Sequence, residues 1–354
     1  MSDRVVVAMS GGVDSSVAAA IMKKKGLEVI GLTMQLDSGE SRCCSEQDVF
    51  DARRVAEALN IPHYVVSFKE AFQHDVIDYF IEEYIDGRTP NPCAVCNRKI
   101  KFGLLLQKAL SLGAGTLVTG HYAGIGKDSD GRWLLKRGRE KNRDQSYFLS
   151  RLTQEQLARA CFPVGKYGKR KIRQMAEAMH LPVAQKSDSQ EICFVPGTGV
   201  ADYIVSKRRS LSKSGKIIRS DGRELGKHAG IYGYTIGQRR GLGISSDRPL
   251  YVTKIDARQN TVTVGDDHEL FRSHLSATDL HWIAFPELKS RMQVRTRIRY
   301  RHRPARSMIE MTGPDRLSVR FSSPQRAITP GQLAVFYRDD IVIGSGWIET
   351  SSNV

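Results

Sequence analysis

The sequence predicts an α/β protein, a parallel-sheet domain followed by two small, mainly β domains. Three observations lead there. Apolar β runs alternate with helical stretches through the first half of the chain. After about residue 203 glycines cluster, as in GKHAGIYGYTIGQRRGLG, and long helical periodicity stops. The last stretch, from about residue 270, contains several short β runs, the texture of a small barrel or sandwich. The expected boundaries are 1–202, 203–268 and 269–354.

In order along the chain, residues 4–9 are an apolar β run, 17–25 read as a helix and 27–36 (LEVIGLTMQL) as a second strand. In 48–60, Val49, Ala52, Val55, Ala56 and Leu59 recur at helical spacing. HYVVSF is a third strand, 99–112 a helix and GTLVTGHY, 115–122, a fourth strand. This β-α order predicts a parallel sheet with helices on both faces, binding ligands at the carboxyl ends of its strands. Residues 154–161 and 169–180 look helical and close the domain. Residues 250–265 resemble a hairpin around 258–260.

The 354 residues are 40% apolar and 26% charged, which fits a soluble globular protein. There is no signal-peptide pattern and no apolar run of bilayer length, so the expected location is the cytoplasm, with no membrane partner. The net charge of +16 is uneven. Residues 1–202 hold 28 Lys and Arg against 24 Asp and Glu, a net of +4, whereas 203–354 hold 26 against 14, a net of +12. A basic excess of that kind points to a polyanion, most often nucleic acid.

The loop AMSGGVDSS joins the first strand to the first helix. Glycines permit a tight turn, and the helix N-terminus presents backbone N–H groups and its positive dipole end to an anion. Ser10 and Ser15 add hydroxyl donors. Asp14 is expected to help hold a divalent cation that bridges phosphate oxygens. No lysine follows the glycines, so a phosphate-gripping P-loop lysine is absent.

TPNPCAVCNRKIKFG, 89–103, places two prolines before a basic helix, so Cys93 and Cys96 fall at a loop-to-helix junction. The helix N-terminus, Arg98 and Lys99 would favour thiolate there. A further cysteine, Cys193, lies in KSDSQEICFVPGTG, whose polar approach and glycine-rich exit suggest a movable surface loop that can bring Cys193 to Cys96 across a cleft. Cys161 reads as a small buried apolar residue, and the pair Cys43–Cys44 is assigned no role.

With its flanking strand and helix, the loop resembles that of the PP-loop ATP pyrophosphatases, which bind ATP and cleave between the α and β phosphates. Pyrophosphate as leaving group explains why no γ-phosphate lysine is needed. SGGVDSS, TPNPCAVCNRKIKFG, TGHYA, DQSYFL, DSQEICF and YTIGQRRGLG in this order, with GQLAVFY near residue 331, resemble tRNA-specific 2-thiouridylases, a family that installs sulfur at C2 of the wobble uridine in tRNA. The resemblance implies ATP contacts at Ala8, Met9, Ser10, Gly11, Gly12, Val13, Asp14, Ser15, Met34 and Gly120, with ATP and Mg2+ as cofactors. It makes Cys96 the nucleophile and Cys193 the persulfide carrier. It puts Asn91, Pro92, Cys93, His121, Arg143, Asp144, Gln145, Arg299, Tyr300 and Gln332 at the tRNA. The partners it implies are the anticodon stem-loop and a sulfur donor, either a cysteine desulfurase relay or hydrosulfide.

In one place the chain departs from the family pattern. Many members carry aspartate where this chain has Cys93. Cys93, Cys96 and Cys193 together would suffice as ligands of a 4Fe–4S cluster with one iron open to hydrosulfide, so cluster and persulfide routes both stand at this point. Two other function classes also stand, a PP-loop amide ligase acting on a small molecule and a non-catalytic, ATP-dependent RNA-binding protein.

Residues 291–306 include arginine at 295, 297, 299, 301 and 303. As one continuous strand they would line up five guanidinium groups on one face, ready for RNA phosphates. Arg239, Arg240 and the basic cluster 207–209 extend the expected RNA footprint.

Overall fold

The structure, a computed structural model, describes residues 3–36, 45–187, 192–208 and 213–353. Cys43, Cys44, Arg209 and residues 188–191 of the DSQEICF motif lie outside those ranges.

The chain begins β1 (Arg4–Ala8), α1 (Val13–Lys24), β2 (Glu28–Gln35), α2 (Glu46–Ala58) and β3 (His63–Ser67). A helical stretch over 69–85 follows, then a second over 92–111 whose middle, Asn97–Leu105, has wide π-type turns. Next come β4 (Thr116–Val118), the hairpin β5 (Ala123–Lys127) and β6 (Trp133–Arg137), and β7 (Ala160–Cys161). β1, β2, β3, β4 and β7 form an all-parallel sheet in the order β3-β2-β1-β4-β7.

β1, β2 and β4 are apolar on both sides because both faces are covered, whereas the edge strand β3 leaves Tyr64 and Val65 exposed. Val5, Val7 and Met9 pack with Val17, Ala52 and Val55 from α1 and α2, whereas Val6 joins Leu32, Leu117, Phe80 and Ile100 on the other face. β1 has β2 on one side and β4 on the other, so the sheet's switch point lies at the carboxyl end of β1, where SGGVDS begins.

Local differences from the sequence reading have clear causes. The fourth strand stops at Val118, because Thr119–Tyr122 turn aside towards the SGGVDS loop. The segment 154–161 is a short helix, Gln154–Ala158, followed by β7, so Cys161 is an edge-strand residue. Its burial there pushes the thiol pKa up.

The middle region is a four-stranded sheet of β8 (Gly215–Arg219), β9 (Glu224–His228), β10 (Tyr251–Asp256) and β11 (Thr261–Gly265), ordered β10-β11-β8-β9. β10 and β11 are the expected hairpin, and Asn260 takes the left-handed turn position at φ 48°.

The C-terminal strands are β12 (Phe271–Trp282), β13 (Met292–Arg297), β14 (Ala305–Gly313), β15 (Arg316–Arg326), β16 (Leu333–Arg338) and β17 (Ile341–Ser352). They run β12-β15-β14-β13-β16-β17, and pairing of β12 with β17 closes a barrel around Leu275, Ile309, Val319 and Phe336. The β5–β6 hairpin attaches to β17 through Ile341 and Lys136, so the first half of the chain contributes strands to this sheet.

The arginine row does not form one strand. β13 ends at Arg297, and Arg299, Arg301 and Arg303 lie beyond it. Thr296, Arg297 and Ile298 are all buried, which breaks the alternation that the expected face required. Arg297 turns inward because a buried carboxylate, Asp144, awaits it there. Among the described residues no helix is long and apolar enough to cross a membrane.

Candidate active site

Thr33 Oγ1 donates to the Met9 carbonyl at 2.8 Å and fixes the exit from β1. Gly11 follows at φ 66°, and a Cβ there would come within 2.3 Å of the Asp48 carbonyl oxygen. Only glycine fits, since the first turn of α2 leans on the loop. Ser45 caps that turn in a reciprocal capping box with Asp48. On the other side, a Cβ on Gly120 would lie 2.7 Å from the Ser15 nitrogen. Gly12 caps α1 with no side-chain hydrogen bond, which leaves the helix's first N–H groups without the usual cap. Ser15 and Ser16 hydroxyls donate to the Gly12 carbonyl at 3.0 and 2.8 Å. The result is a tight, side-chain-free cradle at a helix N-terminus, which fits a phosphate group.

Asp14 faces inward from this loop. Lys169 Nζ donates to its two oxygens at 2.8 and 2.9 Å, and the Tyr122 hydroxyl donates to Oδ1 at 2.6 Å. Lys169 is 6% exposed. The carboxylate expected to help hold a divalent cation is thus paired here with an ammonium and a phenol hydroxyl. Lys169 and Tyr122 were not identified from the sequence. They lie 155 and 108 positions from Asp14, and no local pattern marks them.

The cysteine segment is built as a helix start. Asn91 Oδ1 accepts from the Ala94 N–H at 3.2 Å, and Pro92 occupies the first helical turn. Cys93 is half-buried and Cys96 buried. Lys99, expected to favour thiolate, is paired with Asp75 at 2.8 Å, so its charge is already compensated. Thr89 Oγ1, Asn91 Nδ2 and Asn97 Oδ1 are buried without a hydrogen-bond partner. Orphaned polar atoms on both sides of a thiol helix suit a ligand that carries its own donors and acceptors.

Cys193 is half-buried and borders the same apolar core as Cys96. Its neighbour Phe194 inserts among Phe72, Phe80 and Tyr203, with ring centroids 5.7, 5.1 and 5.7 Å away. Phe194 thus packs the chain just after Cys193 against the core, while residues 188–191 of the expected movable loop lie outside the described residues. The expected iron–sulfur ligand set of Cys93, Cys96 and Cys193 does not assemble. Among the described residues no group of three His, Cys, Asp or Glu side chains is placed to hold a metal ion.

Several positions expected to touch tRNA serve the protein's interior. Asp144 is fully buried and binds Arg297, Arg137 and the Gly138 and Ser146 N–H groups. Gln145 exchanges two hydrogen bonds with the Tyr122 backbone, each 2.9 Å. Gln332 Nε2 donates to the Thr89 and Pro90 carbonyls at 3.0 and 2.8 Å, so the barrel clasps the approach to the cysteines. His121 is buried between the Phe102 and Phe162 rings, and burial, then Lys101, pushes its pKa well below the usual range. Arg299 donates to the Arg326 carbonyl at 2.9 Å. Tyr300 lies 4.5 Å from the Phe148 ring, and the Phe148 carbonyl accepts from Asn97.

The family model described as the tRNA methyl transferase HUP domain matches residues 3–197. Those described as the tRNA methyl transferase PRC-barrel domain and the aminomethyltransferase beta-barrel domain match 203–266 and 272–348. The tRNA-specific 2-thiouridylase MnmA of Geotalea uraniireducens is 50% identical over 360 residues, covering 99% of this chain and 96% of that protein. The chain belongs to the tRNA-specific 2-thiouridylase family.

A second 2-thiouridylase, from Geobacter metallireducens, is 49% identical and covers 98% of this chain and 97% of its own length. Among solved structures, a 4-thiouridine synthetase–RNA complex with bound ATP is 16% identical over 58% of this chain and 50% of that one. Its TM-score of 0.35 is too low to carry an argument. As a member of the 2-thiouridylase family, the chain has its anion cradle and its cysteine helix in one domain, with the C-terminal barrel fastened to both. Gln332 holds the cysteine segment, and the line Arg297–Asp144–Gln145–Tyr122–Asp14 leads from barrel to loop.

Proposed function

We propose that the protein thiolates C2 of the wobble uridine in tRNA anticodons at the expense of ATP. The observation that carries this reading is the full-length 50% identity to a tRNA-specific 2-thiouridylase. The cradle at Gly11–Gly12 receives ATP phosphates, with Ala8, Met9, Met34 and Gly120 shaping its approach. Magnesium belongs to this reading as a companion of the nucleotide's phosphates, and Asp14 serves to fix the loop.

In the first step the uridine C2 oxygen attacks the α-phosphorus and pyrophosphate leaves. The terminal sulfur of a Cys193 persulfide then attacks C2 and expels AMP, which leaves the base joined to Cys193 through two sulfurs. Cys96 thiolate attacks the Cys193 sulfur, releases 2-thiouridine and forms a Cys96–Cys193 disulfide. A thiol reductant reopens that bond, and a persulfide donor such as a cysteine desulfurase relay reloads Cys193. This sequence of steps takes the persulfide route; the alternative route, sulfur carried on a 4Fe–4S cluster held by Cys93, Cys96 and Cys193, is decided by whether thiolation requires the cluster.

The split into 1–202 for nucleotide and thiol chemistry, 203–268 as a small middle domain and 269–354 as the RNA-gripping barrel belongs to the same reading, as does a cytoplasmic location with the tRNA. Asn91, Pro92 and Cys93 would meet the base, with the unpartnered atoms Asn91 Nδ2 and Asn97 Oδ1 as candidate hydrogen-bonding groups. The test is the stoichiometry of AMP, pyrophosphate and thiouridine. Equal amounts, formed only with tRNA, are expected. Pyrophosphate release without tRNA would favour a small-molecule ligase, and tRNA binding with unchanged nucleosides would favour a non-catalytic RNA-binding protein.

A further inference from the structure

Four neighbouring barrel strands each carry one arginine into a single groove. They are Arg320 on β15, Arg306 on β14, Arg295 on β13 and Arg338 at the end of β16. All four are exposed, and the groove encloses about 670 Å3. Arg295 and Arg306 are directly paired across their ladder, and Met308, two residues along the same face from Arg306, is paired with Arg320. Like charges facing each other on adjacent strands repel, so the protein alone does not favour this arrangement.

None of the four forms an ion pair with a carboxylate among the described residues; Arg338 instead rests on the Met292 sulfur at 3.1 Å. Asp339, at one end of the groove, forms no ion pair with them either. Other arginines of the same barrel are paired, Arg316 with Glu349 and Arg326 with Asp267. Arg291, Arg301 and Arg303 of the same domain are also exposed, so what distinguishes the four is that they line one groove on four adjacent strands.

The row crosses the strands, and at ordinary strand spacing it spans about 14 Å, the reach of two or three successive phosphates. Guanidinium groups hold phosphate oxygens bidentately. One arginine per strand, ranged over a floor that includes Val294, Met308, Phe321 and Tyr337, suits the regular charge spacing of a nucleic-acid backbone. The Arg338 end also runs on into the loop that carries Arg143. The turn after Arg338 is held there by the Lys141–Asp340 ion pair at 2.5 Å and by the Arg137 N–H on the Asp340 carbonyl.

We propose that Arg295, Arg306, Arg320 and Arg338 form a phosphate-backbone site that grips a helical arm of the tRNA outside the reacting pocket. This inference rests on the reading of tRNA as the substrate. Its test is fluorescence anisotropy of labelled substrate tRNA over a salt series, with the full chain and the double variant Arg306→Ala, Arg320→Ala. At about 150 mM salt the variant should bind about ten-fold more weakly, and its slope of log Kd against log salt should fall by about 1.5. ATP binding should be unchanged. The double variant Arg306→Lys, Arg320→Lys keeps the charge and should keep the salt slope while losing about two- to three-fold in affinity, a readout that stands if the alanine variant fails to fold.

Wild-type affinity and slope in the alanine variant would overturn the proposal, as would retained tRNA binding with loss of binding to polyglutamate. The functional reading fails separately. A wild type that binds tRNA through this groove yet makes no thiouridine would overturn the function and leave the groove standing. A wild type that thiolates while the alanine variant binds normally would remove the groove alone.

Discussion

Arg297 of β13 donates to Asp144 at 3.0 Å, in an ion pair where the aspartate is fully buried and the arginine 4% exposed. It joins two segments 153 positions apart and locks the barrel to the loop that supports Tyr122. The remaining Asp144 bonds come from Arg137, Gly138 and Ser146, so the carboxylate is well satisfied. Removing one partner of such a pair leaves a buried charge uncompensated, at about 3–5 kcal/mol. Asp144→Ala and Arg297→Met should each lower the melting temperature strongly. The double variant should cost clearly less than the two single effects added together, as measured in a denaturation cycle.

The two loop glycines should respond differently. Gly11→Ala meets the Asp48 carbonyl and an unfavourable φ, whereas a Cβ on Gly12 meets only the Ser10 hydroxyl at 3.5 Å. Melting without nucleotide should show Gly11→Ala destabilised by about 1–3 kcal/mol and Gly12→Ala near wild type. Equal destabilisation would contradict the account of the loop.

Asp14 and Lys169 make a third case. The lysine side chain is 7% exposed and the aspartate 29%, so Asp14→Asn strands the more deeply buried charge. It should therefore destabilise more than Lys169→Met does, by about 1 kcal/mol or more. The magnesium concentration giving half-maximal pyrophosphate release should be the same in Asp14→Asn as in wild type. A shift to much higher magnesium would restore Asp14 as a cation ligand.

Stability should depend on pH through buried histidines. Burial lowers the pKa of His121, and it brings His281 and His302 down to about 4. The folded state thus binds fewer protons than the unfolded chain. This contribution is fully present above the ordinary value near 6.5 and is lost as pH falls towards 4. Melting at pH 5 should come about 5 °C lower than at pH 7.5. His281→Gln, which keeps a donor near the Leu152 carbonyl, should flatten that slope.

Much of this was legible in the sequence, and the boundary has physical causes. β1 and β2 are apolar runs buried over most of their length, β3 is an apolar edge strand that is largely exposed, and Pro92 opens the cysteine helix as its fixed φ permits. The strand β5 reads AGIGK, with too little apolar alternation to announce itself, and it is ordered by joining a sheet formed much later in the chain. The arginine row looked like one charged face because alternation in sequence cannot reveal that Arg297 has a buried partner at position 144. The phosphate cradle was readable from its glycines, but Lys169, which sets Asp14, belongs to a distant helix and carries no local signature.

The most direct measurement is nucleoside mass spectrometry of tRNA incubated with ATP, a persulfide donor, a thiol reductant and metal-free protein. Wild type should yield 2-thiouridine, Cys193→Ser should yield none, and Cys96→Ser should stop with the base held on the protein through Cys193. Thiouridine from Cys193→Ser, or from wild type only after iron–sulfur reconstitution, would contradict the assignment of Cys193 as the sulfur carrier.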